Sequence, residues 1–100
     1  MSFRVVFVRE ARVQLAAIAR WWRENRPGQE LFERELTKAL ALLAQHPEHG
    51  GLYLAAPQPG VRRTLLRKTQ YHVYYSFDRA RRTVRILAIW HTAREHGPPL

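Results

Sequence analysis

The sequence predicts an α+β domain: an N-terminal strand, an α-helical hairpin and a three-stranded antiparallel meander, with the helices packed on one face of a four-stranded mixed sheet. Three observations carry this expectation. Apolar spacing changes from an extended to a helical period near Glu10 and back again after Gly60. The last three apolar runs are joined by connections too short for anything but antiparallel neighbours. A length of 100 residues, 46% hydrophobic and 25% charged, is enough for one buried core, and the whole chain reads as a single domain.

Phe3 to Val8 is apolar and β-branched, which suits a buried or half-buried first strand. From Glu10, Ala11, Leu15, Ile18 and Trp22 recur on one helical face, with Arg12, Arg20 and Arg23 off it. Adjacent helical positions diverge by about 100°, so Trp22 joins the buried stripe and Trp21 is left as the exposed contact. Asn25-Arg26-Pro27-Gly28 breaks the helix, because proline lacks an amide donor and glycine permits a turn. A second helix follows, with Phe32, Leu36, Ala39, Leu40 and Leu43 on one stripe. It stops at His46-Pro47-Glu48-His49-Gly50-Gly51, and a loop containing Pro57 and Pro59 runs to Gly60.

The remaining strands are Val61 to Arg67, Tyr71 to Phe77 and Thr83 to Trp90. Tyr71, Val73, Tyr75 and Phe77 share one face and read as core, while His72 and Tyr74 occupy the other. In the last strand Val84, Ile86, Ala88 and Trp90 alternate with Arg85, Leu87 and Ile89. Both faces are therefore apolar, which predicts a central strand with the first strand beside it. The sheet face away from the helices is expected to be free for partners.

Charge is distributed unevenly. Residues 1–50 carry a net charge of +2 and residues 51–100 carry +7, together the +9 of the chain. Such a balance implies a polyanionic or acidic partner, whether nucleic acid, ribosome, anionic membrane or acidic protein. With no cysteine, disulfides, thiolate nucleophiles and cysteine-based zinc sites are excluded. No apolar run approaches the about 20 residues of a membrane span. Nor does Met1 to Val8 read as a signal peptide, so the cytoplasm is the expected location. His46, His49, His72, His91 and His96 lack metal-ligand spacing, and no phosphate-binding glycine loop is present, so neither metal nor cofactor is expected.

The element order, together with Gly60-Val61-Arg62-Arg63, Tyr71-His72-Val73-Tyr74-Tyr75 and Ile86-Leu87-Ala88-Ile89-Trp90-His91-Thr92-Ala93-Arg94, resembles the RelE/ParE toxin superfamily. Trp21-Trp22, and Leu42-Leu43 leading to Pro47 and Gly50, fit the same pattern. The resemblance implies the toxin of a bacterial type II toxin–antitoxin pair, assembled with a cognate acidic antitoxin. An acidic, amphipathic segment of that partner is expected to cover the hairpin groove and the exposed sheet edge. Two targets are implied, messenger RNA in the ribosomal A site for RelE-like members and DNA gyrase for ParE-like members.

Metal-free RNA cleavage needs a base for the ribose 2′-hydroxyl, cations for the phosphorane and an acid for the leaving oxygen. Arg63, His72, His91 and Arg94 are the candidates here. The next position on Arg63's face is Leu65, His72 stands where the RelE-like pattern has arginine, and Glu95 to Leu100 contains no tyrosine. The His91 to Arg94 ending resembles the ParE-like branch, and gyrase inhibition is favoured over RNA cleavage. A degenerate toxin that only binds antitoxin is the third reading. The candidate partner-binding residues are Trp21, Arg62, Arg63, Arg67, Tyr74, His91 and Arg94. Arg62 and Arg63 point to opposite faces, so only one belongs to a given site, the other being expected as a solvated edge charge.

Overall fold

The computed structural model describes residues 2–25, 27–28 and 30–100, so Arg26 in the predicted helix break lies outside the described residues. The elements run β1 (Arg4–Phe7), α1 (Arg9–Asn25), α2 (Glu30–Gln45), β2 (Gly51–Leu52), β3 (Arg62–Leu66), β4 (Tyr71–Asp78) and β5 (Thr83–His91). The sheet order is β1-β5-β4-β3-β2. β1 lies parallel to β5, with Arg4 opposite Thr83 and Phe7 opposite Ile86, and every other pairing is antiparallel. Parallel neighbours cannot be joined by a tight turn. The helical hairpin carries the chain away from β1, and the meander returns from the far edge to set β5 beside it.

Both helices pack on one face. Ala11, Phe32, Leu36 and Leu43 meet Val73, Tyr75, Val84, Ile86 and Ile89 in the main core, with Leu15, Ile18 and Trp22 packed against it. This is the buried stripe that the periodicity predicts. The amide of Phe3 donates to the carbonyl of Ala44 at 2.7 Å, tying the start of β1 to the end of α2.

Three features differ from expectation. The sheet has five strands, because Gly51 and Leu52 pair with Arg63 and Arg62 inside the segment read as loop. Two residues are too few to show a period; their position is set from outside. The Tyr75 hydroxyl accepts from the Gly50 amide at 2.8 Å and donates to the Pro47 carbonyl at 2.7 Å. Arg62 Nη1 donates to the Gly50 carbonyl at 2.7 Å and the Glu48 carbonyl at 3.2 Å, and Glu48 pairs with Arg79. Burial raises the Tyr75 phenol above its ordinary pKa, against a smaller lowering by the Gly50 hydrogen bond, so it remains a neutral donor. A side chain on Gly50 would strike the Arg63 carbonyl and the Tyr75 hydroxyl, which explains glycine there.

The second difference is a β-bulge. Tyr74 pairs with Ala88 but Tyr75 pairs with Ile86, leaving Leu87 as the extra residue on β5. Val84, Ile86 and Ile89 consequently join the helix-side core, whereas Ala88 and Trp90 lie in a second cluster. Strict alternation would have put Val84, Ile86, Ala88 and Trp90 together.

Thirdly, the other face is not free. Val61, Tyr74 and Ala88 are buried there beneath Tyr53, Ala56, Leu87, Trp90 and Leu100. The segment after β2 and the C-terminal residues form this thin cover, held in part by Trp90 Nε1–H donating to the His96 carbonyl at 2.6 Å. Gly97 sits where a Cβ would collide with the Tyr53 hydroxyl.

Candidate functional site

Past Phe7, β1 no longer covers the edge of β5. α1 takes over: the Ile89 amide donates to Gln14 Oε1 at 2.8 Å, satisfying a strand-edge donor with a helix side chain. Between α1, the β3–β4 turn and the end of β5 a groove of about 810 Å³ remains. Its apolar lining includes Ile18, Trp21, Trp22 and Ile89. Lys68, His91 and Arg94 add cationic or protonatable groups, and among the described residues no Asp or Glu lines it.

The groove is a built surface. Trp22 Nε1–H donates to the Tyr71 hydroxyl at 3.2 Å. Tyr71 meets His91 edge-to-face at 4.9 Å, and Trp21 meets Trp22 in the same manner at 5.5 Å. Trp21 is 45% exposed, as expected for the position off the stripe. His91 Nδ1 accepts from the Ala93 amide at 3.0 Å, which leaves Nε2 to carry the proton of the neutral ring.

Strand register divides the remaining candidates. Leu66, Tyr71 and His91 form one cross-strand row, and Leu65, His72 and Trp90 form the next. Neighbouring rows face opposite sides of a sheet. His91 therefore belongs to the helix-side groove, while His72 lies on the other face. Arg63 joins His72 there: its guanidinium donates to the Tyr74 hydroxyl at 3.2 Å and lies 5.0 Å from the Tyr53 ring centroid. The His72 ring sits 5.8 Å from Tyr74. Burial lowers the His72 pKa and the charge of Arg63 lowers it further, which favours the neutral imidazole. Leu65 occupies the intervening position at 39% exposure and supplies no charge.

Arg94 stacks on Trp90 at 4.0 Å and also lines the groove, so it stands at the border between the two surfaces. Arg62 turns away from Arg63 and is bound by the Glu48 and Gly50 carbonyls instead of being a solvated charge. Arg67 lies past the end of β3, in the turn, where its carbonyl accepts from Gln70 Nε2 at 2.7 Å. Tyr74 is only 3% exposed and supports Arg63 from below. Gln14, Lys68, Thr69 and Gln70 were not singled out by sequence reasoning. For Lys68, Thr69 and Gln70 the one signal was the short connection after β3, which says turn but not wall of a groove; Gln14 lies within α1.

Among the described residues, no three His, Asp or Glu side chains converge as a metal site would need. Among those same residues, no helix is long and apolar enough to cross a membrane.

Residues 5–96 match the family described as ParE toxin of type II toxin-antitoxin system, parDE. Among solved structures, a chain of the chromosomal ParDE system from P. aeruginosa superposes with a TM-score of 0.66 at 20% identity, covering 90% of this chain and 96% of that one. A chain of the RelBE2 toxin–antitoxin complex from Mycobacterium tuberculosis gives 0.60 at 23% identity, covering 94% and 95%. The isolated E. coli RelE toxin gives 0.65 at 16% identity, covering 94% and 88%. No curated protein matches significantly. At these identities the structural likeness is one of fold, shared by ParE and RelE relatives alike. The family match across nearly the whole chain goes further: this chain belongs to the RelE/ParE toxin superfamily of type II toxin–antitoxin systems.

Proposed function

We propose that the chain is a ParE-like toxin, which acts in the cytoplasm by binding DNA gyrase and is held inactive in a hetero-oligomer with a cognate acidic antitoxin. One observation carries the choice of target. The ribonuclease candidates are divided, with Arg63 and His72 on one face of the sheet and His91 on the other. A base, an acid and a phosphorane-stabilising cation must all reach one phosphodiester, within hydrogen-bond distance of about 3 Å. Leu65, in His72's row, supplies no second cation. Binding needs no such convergence, and the groove with Trp21, His91 and Arg94 is suited to it.

The antitoxin segment is read as docking in that groove, acidic groups toward Lys68 and Arg94 and an apolar side against Trp21 and Trp22. The net charge of +9 steers the encounter, so the association rate falls as salt rises. An association rate unchanged by salt would remove the electrostatic part.

The gyrase reading is tested by a supercoiling assay with purified protein. Inhibition near stoichiometric ratio is expected, and none at large excess rejects it. A second reading rests on Arg63 and His72, which share one face of the sheet, with Arg94 at its border: ribosome-dependent cleavage with His72 as acid or base. Its signature is codon-phased cuts in translated message, lost in His72→Ala. Harmless expression without antitoxin would instead indicate a degenerate toxin.

A further inference from the structure

The groove wall opposite α1 is a turn whose own hydrogen bonds, from the Gln70 amide to the Leu66 carbonyl and from Gln70 Nε2 to the Arg67 carbonyl, both at 2.7 Å, leave the Lys68 and Thr69 amides to be satisfied from elsewhere. Lys68 and Thr69 lie at its apex between β3 and β4, and Gln70 has a φ of +66°, a left-handed conformation costly for a side-chain-bearing residue. What secures its apex comes from α2. Glu35 accepts from the Lys68 amide at 2.6 Å, the Thr69 amide at 3.0 Å and the Thr69 hydroxyl at 2.6 Å. One carboxylate thus satisfies both apex amides and the buried threonine, in bonds that are charge-assisted.

The linkage continues beyond the turn. The Gln70 carbonyl accepts from the Thr92 amide at 2.9 Å, and Gln70 Oε1 accepts from the Thr92 hydroxyl at 3.3 Å. Thr92 separates His91 from the segment leading to Arg94. Glu35 lies outside the groove, yet the three segments it connects, α2, the turn and the end of β5, include every cationic or protonatable group of the groove lining. Because it binds backbone amides, it leaves the Lys68 ammonium uncommitted; no ion pair to Lys68 forms among the described residues.

We propose that Glu35 is a positioning residue for the partner-binding groove, holding the Lys68–Gln70 wall and, through Gln70 and Thr92, the His91–Arg94 segment in their bound geometry. The inference rests on the reading that an antitoxin segment occupies the groove. A wall already ordered in the free protein spares the partner the entropic cost of ordering it on binding.

The test uses Glu35→Ala, Glu35→Gln and Glu35→Asp in the full chain, with the antitoxin protein encoded beside the toxin gene as probe. Glu35→Ala is expected to weaken binding by about ten-fold, the scale set by loss of a charge-assisted contact. Amide exchange should accelerate at Thr69 and Thr92 while staying unchanged at Val73 and Ile86. Glu35→Gln, which keeps an acceptor, should fall between Glu35→Ala and wild type. Exchange that rises at Thr69 but not at Thr92, with binding unaltered, overturns the proposal and leaves Glu35 as a local turn clamp. Trp21→Ala and Lys68→Ala serve as the control. If they weaken binding and Glu35→Ala does not, the Glu35 inference alone fails; if neither weakens it, the groove reading fails first. Should Glu35→Ala not fold, Thr69→Val, which removes only the hydroxyl bond, is expected to weaken binding less than ten-fold with the same exchange pattern, and an unchanged pattern overturns the proposal.

Discussion

The two faces of the sheet are built to different standards. Toward the helices, Val73, Tyr75, Val84 and Ile86 are wholly excluded from solvent and meet side chains from both helices. On the other face Val61, Tyr74 and Ala88 are equally buried, but what covers them is an irregular segment after β2 and the C-terminal residues. β5 serves both layers, and the bulge at Leu87 shifts its alternation so that Ile86 and Ile89 both face the helices while Ala88 and Trp90 face the thin cover. The contrast predicts a separation of tasks: stability should depend chiefly on the helix-side layer, and changes in the thinner layer should cost less. Arg63 and His72 lie with the thin layer, whereas the groove is cut into the margin of the thick one.

Ile86→Ala tests this contrast most severely. Truncating a fully buried side chain between sheet and helices should cost about 2–5 kcal/mol. Leu100→Ala, in the thin cover and only half-buried, should cost less than about 1.5 kcal/mol. Urea unfolding of both variants is the measurement, and equal costs would break the distinction. Tyr75→Phe comes next. It keeps the ring but strips the Gly50 amide and Pro47 carbonyl of their partner, for a loss of about 1–3 kcal/mol. Amide exchange at Gly50 and Gly51 should accelerate along with it. Gly97→Ala is milder, since the clash with the Tyr53 hydroxyl can be relieved by shifting the C-terminal cover. Increased quenching of Trp90 fluorescence with a stability change under about 1 kcal/mol is the expected result. Unchanged quenching would mean that Tyr53 yields instead.

Much of the helix-side layer was legible in the sequence, for a physical reason. Helical stripes such as Ala11, Leu15, Ile18 and Trp22 repeat long enough to establish a phase, and that phase separated Trp22 from Trp21. The first strand was correctly set beside β5, because a strand largely apolar on both faces is covered on both and so reads as central, with room for a neighbour on its far edge. The bulge was invisible: Leu87, Ala88 and Ile89 are all apolar, so alternation carries no phase through them. β2 was missed because Gly51 and Leu52 pair with Arg63 and Arg62, and the Gly50 that precedes them is held by Tyr75 and Arg62, all distant in sequence. The carbonyl partners of Arg62 were hidden for the same reason, since they exist only once the loop has folded. Glu35, one helical glutamate among several, gave no hint of the turn it secures.

The smallest expected effect concerns His72, whose pKa in the folded protein is lowered from 6.5 by burial and then by Arg63. The folded state prefers the neutral ring more strongly than the unfolded chain does. The associated stability is fully present above pH 6.5 and is lost as the pH falls through the folded-state value, because the unfolded chain takes up the proton first. Replacing His72 by Gln should therefore flatten the dependence of Tm on pH over that interval and leave it unaltered above. Arg63→Met should flatten it only in part, since burial is the larger cause. Added salt should act in the same direction as Arg63→Met, by screening the charge while leaving the burial intact. An unchanged slope in His72→Gln would show that the thin cover admits water freely enough to solvate the imidazolium. The two faces would then differ in permeability as well as in packing.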